Sequence, residues 1–389
     1  MPAAADEQEP KSGPLAGLRI VEMAGLGPVP LAGLILSELG ARVLRVERIS
    51  NEQAFLAAPA EFDLDRHGRD IVRIDLKRPE GIELVLRLLG EADALIEGFR
   101  PGVMERLGLG PEVALARNPA LIYGRMTGFG QDGPLAGRAG HDLTYLALSG
   151  ALHAIGPKGH KPVPPLNLVA DYGGGAMFLI VGLLAALFER SRSGKGQVVD
   201  AAMVDGAAML AAPFFAFLSA GMWKDRRGVN LLDSGAPFYD TYETADGKHV
   251  AVACLEPRFF AEFARLLPLE ERLARGQYDM GLWPEMREAI AARLLERPRD
   301  EWAALFEETD ACVAPVLSLS EAPSHRHARA RDAHAQVGKM TRPRPAPRFS
   351  RSQARVSGLP ATDAAAGLAA FGVSSEEAEA LASAGIVGR

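Results

Sequence analysis

Along the first third of the chain, short runs of apolar and β-branched residues alternate with longer stretches whose apolar positions recur at helical spacing. Residues 18–23, 42–47, 71–76, 94–97 and 121–126 predict strands, and residues 29–39 and 80–89 predict helices. Alternation of this kind is the signature of a parallel sheet wrapped by helices, the α/β class. Further on, residues 176–188 form an apolar run that predicts a buried core helix, residues 197–200 a strand, and residues 202–222 one long helix. The texture then changes. Strands over 238–244 and 249–254, joined at Ala245-Asp246-Gly247, precede helical patterns at 258–266, 284–296 and 299–308. Residues 341–360, rich in proline and arginine, read as an extended connector, and a final helix over 375–384 opens on Ser374-Ser375-Glu376-Glu377, a capping pattern.

These patterns divide the chain into a large domain of residues 13–200 and 345–389 and a small α+β domain of 228–330. Residues 201–227 and 331–344 are linkers and 1–12 a disordered tail. A length of 389 residues suits two domains, and 48% apolar residues with 24% charged ones suit a globular protein. The net charge of -6 argues against a nucleic-acid partner. Cys254 and Cys312 are the only cysteines, too few for a disulfide framework or a thiolate metal site, and a reducing cytoplasm is expected. The polar, acidic N-terminus and the absence of an uninterrupted apolar run near the roughly 20 residues of a membrane helix predict no membrane partner. His325-Arg326-His327 lacks a third ligand at metal spacing, and the surrounding arginines read as a solvated connector.

Candidate chemistry begins at the first strand-to-helix turn, Ala24-Gly25-Leu26-Gly27-Pro28-Val29-Pro30. It has a G-x-G but no third glycine and two early prolines, so the dinucleotide fingerprint fails. Two other glycine-bordered segments each offer one titratable group: Ala139-Gly140-His141-Asp142, and Asp171 between Leu168-Val169-Ala170 and Gly173-Gly174-Gly175. Asp171 at the mouth of an apolar helix suits proton transfer, because burial raises and helix N–H groups lower its pKa. It equally suits a helix N-cap. His141, opening an amphipathic stretch, equally suits a hydrogen-bonded residue near the core. Taken singly, neither decides.

Several longer motifs together resemble one family over nearly the whole chain, the family III CoA transferases, and within it the racemase branch. They are Pro14-Leu15-Ala16-Gly17-Leu18-Arg19-Ile20-Val21-Glu22, Leu39-Gly40-Ala41 with Arg45-Val46-Glu47-Arg48, and Asp75-Leu76-Lys77-Arg78-Pro79-Glu80-Gly81. Gly98-Phe99-Arg100-Pro101-Gly102, Glu105-Arg106-Leu107-Gly108, Thr127-Gly128-Phe129-Gly130-Gln131-Asp132-Gly133-Pro134 and Gly194-Lys195-Gly196-Gln197 complete the set.

The resemblance implies that Asp171 is the aspartate that transferases use as nucleophile and racemases as acid/base. His141, and Glu256 in Cys254-Leu255-Glu256-Pro257, match the racemase branch, with Glu256 pairing with the histidine. The glutamine of oxalate-handling transferases in the first turn, and their glycine run near Glu256, are missing. Backbone N–H groups beside Asp142 are implied as enolate donors. Arg48, Lys77, Arg106 and Arg100 are implied as cations for the CoA phosphates, and Leu26, Ile74 and Phe99 as walls for adenine or ribose. The fold implied is a Rossmann-like large domain with a small α+β domain, in an interlocked homodimer with active sites shared between subunits. The expected reaction is racemisation of a 2-methylacyl-CoA with no metal and no cofactor beyond the CoA of the substrate. The alternatives are acyl-CoA transfer through a mixed anhydride on Asp171, and CoA binding without catalysis.

Overall fold

The computed structural model describes residues 12–49, 58–359 and 364–388, so the expected tail lies outside the described residues apart from Ser12. The chain divides into two compact units, Met1–Ser149 with Leu166–Leu210 and His327–Arg389, and Gly150–Pro165 with Ala211–Arg326.

The first unit is built on a six-stranded sheet in the order β3-β2-β1-β4-β5-β6, every neighbouring pair parallel. Its strands are β1 Arg19–Met23, β2 Arg42–Arg48, β3 Arg69–Ile74, β4 Ala94–Glu97, β5 Ile122–Thr127 and β6 Gln197–Ala202, with helix α1 (Pro28–Glu38) after β1 and α2 (Pro79–Gly90) after β3. Every residue of β4 and β5 is buried, because helices cover both faces of a parallel sheet, and this is why those strands read as runs rather than alternations. Val21, Leu44, Val72 and Leu95 from the sheet pack with Leu84 and Leu88 of α2 and with Phe371, Val373 and Ala378 near the C-terminus. Ser374 caps the last helix, Ser375–Ser383, by accepting the N–H of Glu377 at 3.2 Å.

The strand order reverses between β1 and β4. In such sheets ligands bind outside the carboxyl ends of the strands at the reversal, which here is the space between the turn after β1 and the loop after β4.

Three expectations need correction. The stretch 202–222 is two helices, α5 (Met203–Leu210, in the first unit) and Ala212–Ser219 (in the second), because Pro213 has no N–H to continue a helix and fits only in a first turn. The apolar run after Gly175 belongs to α4 (Met177–Ser193), preceded without a break by a π-helical segment, Leu168–Ala176. Together they make a 26-residue helix that is long and apolar enough to cross a membrane by length and composition, which the expected 13-residue run concealed. It is not buried all round. Leu179 and Leu183 pack on Gly124 of β5, whereas Val181 is 63% and Phe188 67% exposed. Finally, the connector begins as a strand, Met340–Pro343, paired with His334–Val337, and only then runs without regular structure as far as Leu359.

The second unit holds an antiparallel sheet of β7 (Tyr239–Glu243), β8 (His249–Ala253) and β9 (Val313–Pro315), packed by helices Pro257–Leu266, Trp283–Leu294 and Arg299–Phe306. Phe238, Phe260, Phe263, Trp302 and Phe306 form its core. The unit differs from the predicted 228–330: residues 150–165 and 211–227 join it, and it ends at Arg326. Arg227 donates to the carbonyls of His153 and His160, and so ties that loop to the segment before the sheet.

Candidate active site

Asp171 stands on the π-helical segment, and the three glycines explain why that segment can lie where it does. A Cβ on Gly174 would fall 2.5 Å from the backbone nitrogen of Ala207, and one on Gly175 would fall 3.0 Å from side chains of both Pro28 and Met203. Glycine therefore lets the backbone pack directly against α5 and α1. π-Helical turns are rare and often mark functional sites. Here the turn aims Asp171 at the switch point, where a Cβ on Gly27 would lie 3.2 Å from Asp171 Oδ2. Gly27 has φ +70°, a conformation that favours glycine, and Pro28 and Pro30 remove two of the N–H groups that a helix start would aim at the carboxylate.

Asp171 is not an N-cap. Asn167 occupies that position, and its Nδ2 donates to Asp171 Oδ2 at 3.3 Å. Burial raises the Asp171 pKa above the usual carboxylate range, the Asn167 bond lowers it, the charge of Asp142 raises it and His141 lowers it. The shift is upward, toward a group that can carry a proton.

His141 lies in the N-cap position of α3 (Asp142–Leu148). The Thr144 hydroxyl accepts the His141 N–H at 3.0 Å and donates to the His141 carbonyl at 2.7 Å, which fixes the backbone and leaves the imidazole exposed. Asp142, the first residue of α3, sends its carboxylate to the π-helix, where Oδ1 accepts the N–H of Ala170 at 3.0 Å and that of Asp171 at 2.7 Å. One loop-to-helix junction thus carries His141 and anchors Asp171.

Tyr145, one turn after His141, is a site residue that sequence reasoning passed over. Its ring fills the space where Gly128 and Gly140 would carry side chains, and it meets Phe129 edge-on with centroids 4.9 Å apart. Burial raises its pKa, the charge of Asp171 raises it further and Arg100 lowers it, so the phenol shares an electrostatic environment with both. Helical spacing from His141 together with the flanking glycines was the available signal. Glu97, the last residue of β4, was also missed. It accepts the Phe99 N–H at 2.7 Å and is pushed up to about 7 by burial against the pull of Phe99 and Arg125.

The cations implied for CoA lie on the same edge of the sheet. Arg48 ends β2, Lys77 follows β3, and Arg100 follows β4. Arg106 folds back over that last loop, with Nη1 3.1 Å from where Gly102 would carry a Cβ. All four are exposed. Neighbouring Arg73, Arg78 and Arg125 are paired with Glu47, Glu80 and Glu105, whereas these four make no ion pair among the described residues. Leu26 is 69% exposed beside Gly27, and Phe99 is half-buried against the core. Ile74 is 0% exposed, paired with Arg48 in the sheet and bridged to Val387, so its side chain is core rather than a wall open to a ligand.

Glu256, in the second unit, is the N-cap of helix Pro257–Leu266. Its carbonyl accepts the N–H groups of Phe259 and Phe260 at 3.0 Å, and its side chain is exposed.

The model of CoA-transferase family III matches residues 15–366, a span that includes His141, Asp171, Glu256 and all of the residues implied for CoA. The chain belongs to this family. It is 46% identical over 342 residues to a protein of Mus musculus named alpha-methylacyl-CoA racemase, covering 87% of each chain, and 43% identical over 336 residues to the Homo sapiens protein of that name, covering 86% of each. A crystal structure of a CaiB/BaiF family protein from Brucella suis superposes with a TM-score of 0.79 at 26% identity, covering 93% of this chain and all of that one. In this family III chain, as the geometry shows, the glycine-rich helix start is spent on placing a carboxylate at the switch point rather than on cradling a pyrophosphate.

Proposed function

We propose that the chain is a 2-methylacyl-CoA racemase, an isomerase that interconverts the two configurations at the carbon next to the thioester. The observation that carries this reading is the junction at Asp142, which anchors Asp171, its pKa raised by burial, through its backbone and presents His141 beside it. The names of the two mammalian relatives support it.

Racemisation removes the α-proton to leave an enolate, then returns a proton to the opposite face. His141 and Asp171 supply the two faces, and each is base for one enantiomer and acid for the other. Glu256 serves as charge partner and orienter of the imidazole, from a neighbouring chain of a homodimer. If so, mixed dimers of His141→Ala and Glu256→Ala chains recover part of the activity that each loses alone, and no recovery counts against sharing. The exposed apolar face of α4 supports an assembly of that kind.

The α-proton is far less acidic than an imidazolium or a carboxylic acid, and each pKa unit of mismatch costs about 1.36 kcal/mol. Donors aimed at the enolate oxygen offset part of that cost. The N–H groups of Asp142 and Leu143 lie in the first turn of α3, ahead of its first internal bond, and suit that role. The unpaired Arg48, Lys77, Arg100 and Arg106 suit the phosphates of the CoA, and Leu26 and Phe99 its base and sugar. No metal or further cofactor takes part in the reaction as proposed, and the free thiols of Cys254 and Cys312 suit the cytoplasm.

The second reading, favoured by the family description, makes Asp171 a nucleophile that forms a mixed anhydride with the acyl group. One experiment separates the two. A single enantiomer of a 2-methylacyl-CoA, incubated in heavy water without a carboxylate acceptor, should take up α-deuterium, collapse its methyl doublet and yield both enantiomers. An unchanged α-proton, with hydroxylamine-trappable acyl-enzyme, would replace racemisation by transfer.

A further inference from the structure

Asp142 is 8% exposed, and its carboxylate accepts the N–H groups of Ala170 and Asp171, both at Oδ1. Oδ2 is buried with no hydrogen-bond partner among the described residues. An asparagine or serine would accept the same N–H groups without burying a charge, and burying a carboxylate with one oxygen unpartnered is costly. Holding the π-helix is therefore not a sufficient reason for a carboxylate here.

The charge acts on Asp171, whose N–H it holds. We infer that Asp142 is the positioning residue of the acid/base Asp171: one oxygen fixes the turn that carries it, and the buried negative charge brings the protonated form of Asp171 within reach during turnover, alongside the ionised one. This rests on the racemase reading above. The physical reason is that a second negative charge close by disfavours ionisation of the first. The other groups facing Asp171 cannot supply this effect. From its own segment comes Asn167, a neutral donor that favours ionisation, and from the loop before α3 comes His141, which also favours it. α3 adds Tyr145, on which Arg100 also acts. The turn before α1 presents Gly27, and α5 meets the same segment at Gly174 and Gly175 through Met203, Gly206 and Ala207, while its Asp205 is exposed and acts on Asp200.

The test is Asp142→Asn, which keeps size and an acceptor but removes the charge, read in two ways. First, the Asp171 carboxyl is titrated by carbon-13 NMR in the wild-type and variant proteins, a readout independent of any reaction. Its midpoint should move to lower pH in the variant. Second, kcat/KM for racemisation should fall about 10- to 100-fold at neutral pH, with the acid limb of its pH profile displaced downward, while affinity for free CoA stays the same. Asp142→Ser, another uncharged acceptor, should give the same downward shift. An unmoved or raised midpoint overturns the inference, and so does a loss of rate with an unmoved pH profile, which would mean a structural role alone. Failure of the wild-type protein to racemise would instead overturn the racemase reading, whatever the titration shows.

Discussion

Two carboxylates flank helix α1, each pressed against one of its glycines, and the fold treats them in opposite ways. Glu22, in the middle of β1, lies where Gly33 would carry a side chain, with Oε2 2.0 Å from that Cβ position. It is fully buried and bonded to two guanidiniums, Arg69 at 3.0 Å and Arg45. Asp171 lies beside Gly27, just before the helix, partly open, its carboxylate held by the amide of Asn167 and with no guanidinium partner among the described residues. Glu22 is fixed in place by pairing with two guanidiniums. Asp171 is kept out of such pairing, so both of its protonation states stay within reach. Cations are not scarce in this region, since four unpaired ones stand on the same edge of the sheet. The fold leaves them exposed at that edge rather than pairing them with the carboxylate.

This contrast can be broken in several ways, and the largest expected effect is on catalysis. Asp171→Asn should lower racemisation by about 10²- to 10⁴-fold with the fold intact. It should also stabilise the protein at neutral pH. Because folding raises the Asp171 pKa, the stability linked to this group is fully present below its unfolded pKa and is lost as pH rises through the folded value. The asparagine escapes that loss, so the gain seen by thermal unfolding should be present at pH 7 and absent at pH 3. Glu22→Gln should do the reverse. It leaves two buried guanidiniums without their charge partner, so unfolding should become easier by about 3–5 kcal/mol, with the specific activity of the folded fraction little changed.

The glycines sharpen the same comparison with smaller effects. Gly33→Ala forces a methyl into the Glu22–Arg69 pair and should cost about 1–3 kcal/mol of stability. Gly27→Ala meets the left-handed φ of +70° and crowds Asp171, so kcat should fall roughly tenfold for a stability loss of about 1–2 kcal/mol. The smallest effects belong to the rim. Arg48→Ala, Lys77→Ala or Arg106→Ala should each raise KM roughly 2- to 5-fold at low salt, with kcat unchanged and the difference shrinking as salt is added, because these charges are exposed and screened.

The sheet was legible in the sequence because its strands are buried on both faces and read as runs, and the α/β class followed from their alternation with helices. The π-helical segment was not legible. Leu168-Val169-Ala170 before three glycines resembles a loop or cap, and only the close approach of α5 and α1, a tertiary fact, makes it helical. His141 and Asp171 were visible as residues, but their relation was not, since Asp142 was read for its N–H while its carboxylate makes the link. Tyr145 went unnoticed because its helical spacing from His141 reads equally as core packing, and Glu97 because an acid ending a strand carries no local mark. Ile74 was misread as a ligand wall. It was implied by the resemblance alone although it falls inside the predicted strand 71–76, and it is buried in one core with Val387, distant in sequence, to which it is bridged.

The central claim is that two different groups work on opposite faces of one carbon. The most direct test follows α-deuterium uptake from heavy water into each separate enantiomer of a 2-methylacyl-CoA, using Asp171→Asn and His141→Ala proteins. The account predicts that each variant still exchanges the α-proton of one enantiomer, a different one in each case, and that neither interconverts them at the wild-type rate. Exchange of both enantiomers by either variant, or wild-type racemisation by either, would contradict it.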